Sequence, residues 1–553
     1  LAPIYAYTHG LVNFGTKTVG TTSIDTVYIK NSGTASLVIS DIEWQMTTGS
    51  GRTSPYTDTL KTLAGAVTTT IAAGDSAMYI ITYTPYDEYF DEWMAIISHN
   101  ASGSPDTINI QGTGNIVSAA NILYVSSSGS DSNPGTVALP IRTIARVNAI
   151  MDTTAVFDSC LFKGGETFTD VTLLPKSNKV YASYGTGNGI ISFAPAATIR
   201  NVSNVLVRNL SFQGQIAVRD VEDIILRALN VTGTELSRNN IGGIQISNNL
   251  TGEIRAEQCT VKNFAEGIRV YGMAQSNLTN LDSLVIDACI IDSCYRDDDN
   301  YDGIRLIGNE YAASIDYGYK AVIRNCTVTN WGEDAIDIAF ASNVIVEKNI
   351  LHDNKTPNSY DYESTGIKIG EQNASTSLKG STGNIIRYNK IYNINRPTAR
   401  TTDIAKGINA SRTNDALIHH NLVYNVAGVG FYQNGLNKID VNTAYHIKFY
   451  NNTVSVDSSC FLTASAGSGV RSYVKNNIFV VKGTQNSIYT LEDTRIGKNV
   501  FVKRGGVYEG TTTRTSVAAW QKYNDIDSSS TSYYGIDSTA LFPGAGDYEI
   551  ITT

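Results

Sequence analysis

One short pattern recurs through the second half of the chain and limits its fold more than any other feature. The segments RNLSF, RALNV, EQCTV, DACII, RNCTV, EKNIL, RYNKI, HHNLV, YNNTV and KNNIF place Leu210, Leu229, Cys259, Cys289, Cys326, Asn349, Asn389, Asn421, Asn452 and Asn477 at equivalent positions. A second register runs through GIQIS, GIRVY, GIRLI, AIDIA, GIKIG, GINAS and GFYQN, with neighbouring rows 23 to 41 residues apart. The shortest spacings suit one coil of three short strands, and the longer ones call for loop insertions. A single coil cannot bury its own apolar faces. Coils stacked about 4.8 Å apart can, because each backbone then hydrogen-bonds to the next. The pattern therefore predicts an all-β solenoid, a parallel β-helix. Equivalent residues pile into columns within it, with Cys259, Cys289 and Cys326 as small buried apolar groups and the Asn amides bonding along the stack. Such thiols are structural rather than catalytic, and disulfides between rungs are left open.

Residues 1–115 read differently. Short alternating strands at TVYIK (26–30), SLVIS (36–40), AMYIITY (77–83) and INIQGTG (108–114), separated by NSGT and AAGD, predict a β-sandwich. The order FG (14–15), NSG (31–33), AGD (73–75), YTP (83–85) and GTG (112–114) resembles immunoglobulin-like modules of bacterial surface and secreted proteins. That resemblance implies a spacer or binding accessory, and the segment offers no constellation of titratable groups. A linker follows at 116–121, and 122–553 is expected to form the β-helix, with an irregular tail from about 500. At its start come YVSSSGSDSNPGT (124–136), a segment PIRTIARVNAIMD (140–152) with Ile141, Ile144, Val147 and Ile150 at helical spacing, and FKGGETF (162–168). This set resembles the N-terminal cap of secreted right-handed parallel β-helix enzymes of the pectate-lyase-like superfamily, which implies right-handed coiling closed by a short amphipathic helix.

In the pattern GIxI the two apolar residues share one face, so the residue between them points outward. This defines an outer column of Gln245, Arg269, Arg305, Asp337, Lys368, Asn409 and Tyr432. A random outer column would be rich in Ser, Thr and Asn, whereas here Arg, Arg, Asp and Lys follow one another. Insertions at 273–301, 352–364 and 393–405 would wall it into a groove. Glu333 and Asp334 lie just before Asp337, and Asp302 is the equivalent of Asp334 one coil earlier. So many carboxylates within two rungs repel one another unless a cation or a basic partner lies between them. Ca2+, which takes six to eight oxygens in loose geometry, is the expected occupant. The alternative is a surface ladder in which Asp337 pairs with Arg305 and Lys368.

EDAID (333–337), TGIKIG (365–370), GVGFYQN (428–434) and FYNNTV (449–454) together resemble the family 9 polysaccharide lyases, calcium-dependent pectate lyases on a parallel β-helix. The resemblance spans roughly residues 300–455. It implies calcium held by Glu333, Asp334 and Asp337 together with Asp302, and Lys368 as the base. Glu333 replaces an Asp of the family pattern, and Tyr432 stands where an Asp is common. The implied activity is β-elimination on a uronate polymer, with Arg269, Arg305, Asn409 and Tyr432 binding the substrate. Hydrolysis by a carboxylate pair, uronate C5-epimerisation, and a non-catalytic adhesin or tailspike-like protein are the rival readings. A net charge of −9 argues against nucleic acid or an anionic membrane as partner. No apolar stretch is long enough to span a membrane. The expected protein is a secreted or cell-surface bacterial monomer acting on an acidic polysaccharide, and a chain that begins at Leu1 fits the loss of a signal peptide.

Overall fold

The computed structural model describes residues 2–533 apart from a number of segments, chiefly 47–53, 86–89, 116–120, 234–241, 272–280, 295–301, 309–316, 356–363, 371–380, 397–404, 435–444, 464–469, 483–487, 491–493, 503–506 and 515–530. The wall insertions and the tail motifs at 516–530 and 547–550 lie largely or wholly outside the described residues. The chain divides into two compact units, Leu1–Asn121 and Ile122–Thr553.

In the first unit, a four-stranded sheet and a five-stranded sheet enclose one core. Strands Ser76–Tyr83 and Phe90–His99 alternate buried and half-exposed residues along their length. This is the period-two signature of sheets covered on one face, and it puts Tyr79, Ile81, Tyr83, Ala95 and Ile97 inside.

The second unit is a right-handed parallel β-helix with three faces. One face carries strands Ile268–Tyr271, Ile304–Ile307, Asp334–Ala339, Thr365–Gly370, Lys406–Ser411 and Val429–Asn434. A second carries Leu281–Asp287, Ala321–Arg324, Ile345–Glu347, Ile385–Arg387 and Leu417–His419. The third carries Ile290–Cys294, Thr327–Trp331, Ile350–His352, Lys390–Ile394 and Leu422–Val426. Earlier in the chain, Ile216–Arg227 and Ile244–Glu257 run unbroken across the first two faces. Helix Ile144–Thr153 closes the N-terminal end, burying Ile144, Val147 and Met151. Its first backbone N–H groups are capped by Asp170, which accepts from Ile144 at 3.1 Å and Ala145 at 2.8 Å. The helix is shorter than the sequence spacing predicts, because Ile141 is drawn into a bridge with Val125 instead.

Inside the first face an apolar column, Ile244, Ile268, Ile304, Ile336, Ile367, Ile408 and Phe431, is wholly shielded from water and paired residue by residue. Each such side chain contributes about 1.5–3 kcal/mol of burial energy. The glycine of the GIxI motif keeps this stack tight: a Cβ on Gly407 would lie 2.5 Å from the carbonyl oxygen of Gly430 on the next rung.

Between the second and third faces the chain turns on single left-handed residues, among them Asn325, Lys348, Tyr388, His420, Asn451 and Asn476. The residue after each turn points inward and forms the column read from the sequence. Asn349 donates through Nδ2 to Oδ1 of Asn389 (3.0 Å), Asn389 to Asn421 (3.0 Å), Asn421 to Asn452 (3.0 Å) and Asn452 to Asn477 (3.2 Å). The ladder continues one rung beyond the motif, from Asn477 to Asn499 at 2.9 Å. Each amide also bonds backbone groups, as Asn421 does with the N–H of Asn389 and the carbonyl of Ile386. All six cysteines are buried and unpaired. Cys259, Cys289 and Cys326 donate weakly to backbone carbonyls, and burial pushes the thiols of Cys259 and Cys160 well above the ordinary range. Replacing Asn421 by Ala strands buried donors and acceptors on both neighbouring rungs. The expected cost is about 2–4 kcal/mol, read as a lower denaturation midpoint in urea, whereas the same change at exposed Asn230 should leave the midpoint nearly unmoved.

Candidate functional site

The outer column forms in the register that the repeat requires. Gln245, Arg269, Arg305, Asp337, Lys368, Asn409 and Tyr432 stand directly opposite one another on consecutive strands of the first face. The column is far less exposed than an outward-facing row implies: Asp337 is 1% exposed, Lys368 9% and Asn409 not at all. The physical reason is that the charged groups of adjacent rungs fold onto one another instead of onto water.

A second column stands three residues earlier along the chain on each rung. Asp334 pairs with Thr365 and Thr365 with Lys406, while Asp302 and Glu266 take the same place on the two preceding rungs. Every one of these is buried. Glu266 escapes a reading confined to the middle of GIxI, although the residue preceding each GI or AI would have shown it: Glu266, Asp302 and Asp334 are three consecutive acids.

The two columns and the turn residue Glu333 meet in one network. Nζ of Lys368 lies 3.2 Å from Asp334, 3.7 Å from Glu333 and 3.9 Å from Asp337. The guanidinium of Arg305 lies 3.1 Å from Asp337, 3.4 Å from Asp302 and 3.1 Å from Glu266. Arg269 reaches Glu266 at 3.3 Å and stacks on Tyr271 at 4.6 Å. Asp302 accepts the backbone N–H of Asp334 at 3.1 Å. These ion pairs join five carboxylates to three cations. The excess is negative, and it is buried.

Titration reflects that excess. Burial pushes the carboxyls of Glu333 and Asp334 up to about 8, with neighbouring acids raising them further and Lys368 opposing. Burial likewise raises Asp302 well above the carboxylate range despite Arg305, and it raises Glu266 despite Arg269 and Arg305. Three carboxylates in surroundings of this kind hold protons at neutral pH unless positive charge is added.

Asp302, Glu333 and Asp334 each offer an oxygen, all within 4.8 Å of one another. Among the described residues, Oδ2 of Asp302 and both carboxylate oxygens of Asp334 accept no hydrogen bond. An all-oxygen set with unused lone pairs fits a hard cation of the calcium type. Asp337, the fourth expected ligand, is instead directed to Arg305. Of the expected substrate contacts, Arg305 has its guanidinium committed to carboxylates. Asn409 accepts from Ser411 at 3.2 Å while its Nδ2 has no hydrogen-bond partner, and Tyr432 is half-buried beneath the Lys406 ammonium.

The sequence model of a right-handed β-helix region matches residues 277–501. No curated protein sequence matches the chain. Among solved structures, the chain is similar to a GH136 lacto-N-biosidase from Eubacterium ramulus, with 14% identity, 68% of each chain covered and a TM-score of 0.41. It is also similar to PfbA, a surface adhesin of Streptococcus pneumoniae, with 10% identity, 64% of this chain and 87% of that one covered and a TM-score of 0.41. A third is the A-module of a mannuronan C-5 epimerase from Azotobacter vinelandii, with 12% identity, coverage of 70% and 95% and a TM-score of 0.37. The fold is a right-handed parallel β-helix, and none of these likenesses assigns it a substrate. Among the described residues, no helix is long and apolar enough to cross a membrane.

The raised carboxyls make a linkage prediction. Glu333 and Asp334 titrate near 4 when unfolded and near 8 when folded. Between those values the folded state binds more protons, so without metal the stabilising contribution is full below about pH 4 and is lost as pH rises toward 8. A cation that binds the ionised carboxylates reverses the slope. Melting temperatures followed from pH 5 to 8 should fall in chelator and should hold or rise in millimolar calcium. Identical slopes in the two conditions would show that the cluster takes no cation.

Proposed function

We propose that this site belongs to a polysaccharide lyase that cleaves an acidic, uronate-containing polysaccharide such as pectate by calcium-assisted β-elimination. The observation that carries the reading is the Lys368 ammonium within 3.2–3.9 Å of three carboxylates of a buried cluster that is richer in acid than in base. Asp302, Glu333 and Asp334 would hold the ion, with Asp337 beside them. Calcium, when bound, supplies the positive charge this cluster lacks and a uronate carboxylate needs.

The chain's own residues do the rest. Lys368 accepts the proton from C5 of the sugar, which it can do only as the neutral amine. That form requires positive charge nearby, which Arg305 and a cation held by Asp302, Glu333 and Asp334 would supply. Arg305 orients Asp337, its guanidinium lying 3.1 Å from that carboxylate. Arg269, Arg305, Asn409 and Tyr432 would line the path of the sugar chain, with Asn409 offering an amide that has no hydrogen-bond partner among the described residues. A secreted or cell-surface protein acting as a monomer belongs to the same reading.

One observation favours a second reading. Carboxyls held protonated near neutral pH, as Glu333 and Asp334 are, also suit the general acid of a glycoside hydrolase. Lys368 separates the two. Under the lyase reading Lys368→Ala loses about 10²–10⁴-fold in turnover while calcium binding by calorimetry persists. Lys368→Arg fares almost as badly, since a guanidinium does not give up its proton. The assay is ultraviolet absorbance of unsaturated uronate released from a panel of acidic polysaccharides, with and without chelator. Reducing ends without that absorbance would establish hydrolysis, and neither signal would indicate a binding groove.

A further inference from the structure

Elimination leaves one requirement unmet by the residues above. When the C4–O4 bond breaks, the departing oxygen needs a proton, and Glu333 and Asp334, which with Asp302 would hold the cation as carboxylates, have none to give. Lys368 is occupied as base. Arg305 is committed to Asp302, Asp337 and Glu266, all within 3.4 Å of its guanidinium. Asp337 is buried between Arg305 and Lys368.

On the other side of Lys368 the column continues with Asn409 and then Tyr432, each directly opposite its predecessor. Rungs lie about 4.8 Å apart, so the Lys368 and Tyr432 backbones are separated by roughly 10 Å, two rung spacings. The residue between them is short, and its side chain is wholly buried with an unpartnered Nδ2. Two long polar side chains thus stand on either side of the buried Asn409 in the outer column. Lys406, one column inward and 1% exposed, places its Nζ 4.2 Å from the centre of the Tyr432 ring. An ammonium so close to a ring face attracts the ring and restricts its rotation, the more so when desolvated.

We propose that Tyr432 is the catalytic acid that protonates the leaving oxygen, two rungs along the outer column from Lys368, and that Lys406 is the positioning residue that holds its ring there. The proposal rests on the lyase reading. The C5 proton passes to Nζ of Lys368, the C5–H electron pair forms the C4–C5 double bond, and the C4–O4 bond breaks. O4 takes the phenolic proton of Tyr432. Water then reprotonates the phenolate, and the Lys368 ammonium returns its proton to water.

The test compares two substrates on the intact protein: a uronate polysaccharide, whose sugar alkoxide must be protonated, and a uronate carrying a 4-O-nitrophenyl group, which leaves as a stable anion. Tyr432→Phe keeps the ring under Lys406 and should lose 10²–10⁴-fold on the polysaccharide while staying within a few-fold of the parent on the aryl substrate. Lys406→Met should show the same substrate split to a smaller extent, with Lys406→Arg restoring much of it, which a merely structural role would not do. Equal losses on both substrates, or full turnover of Tyr432→Phe on the polysaccharide, would remove Tyr432 from the acid role while leaving the lyase reading intact. Absence of unsaturated product from the parent protein on every uronate substrate would overturn both.

Discussion

The in-register hydrogen bonding of each coil to the next is the constraint on which the second unit depends. Once Ile304 is opposite Ile336 and Ile336 opposite Ile367, every neighbour along those strands is fixed as well. A residue two positions before each isoleucine is therefore stacked on its equivalents whether or not their chemistry suits it. The apolar columns benefit from this directly. Polar columns survive only where each member satisfies the next, as the Asn amides do, or where an energetic penalty is accepted.

The acidic cluster is such a penalty. Breaking up Glu266, Asp302, Asp334 and Asp337 with apolar residues would relieve repulsion and desolvation, and buried ion pairs seldom stabilise a fold relative to apolar packing of the same volume. Arg305 and Lys368 reduce the cost without removing it, since the network remains richer in acid. A rigid sheet can carry the cost because the stack on either side is continuous and dry. The same rigidity keeps Lys368, Asn409 and Tyr432 at fixed separations, which a loop could not do as accurately.

Much of this was legible in the sequence because both registers are strictly periodic. The GIxI rows placed Arg269, Arg305, Asp337, Lys368, Asn409 and Tyr432 in one column, and the structure gives that register pair by pair. The Asn column was equally visible, though Asn499 lies beyond the last clear motif. What could not be read was depth. A period-two pattern assigns sides of a strand, not solvent, so Asp337 and Asn409 were expected outside and are buried by their own neighbours. Glu266 and Lys406 lie outside that column for a related reason: they precede the apolar pair instead of standing between its members, where the pattern marks an outward residue. Ile141 was assigned to the cap helix because helical spacing cannot reveal a competing bridge to Val125.

The Asn ladder also has a direction. From Asn389 to Asn499 every side-chain oxygen of the ladder faces the preceding rung, where it accepts both the backbone N–H and the amide of its neighbour, so the carbonyl dipoles align head to tail. The row begins at the backbone N–H of Cys326, which bonds Oδ1 of Asn349. Aligned dipoles in a medium of low dielectric reinforce one another, so the interior of the solenoid carries an electrical polarity along its axis, its negative pole toward the rungs that bear Asp334 and Asp337. A stack of neutral side chains thereby acquires an orientation that the shape of the coil alone does not possess.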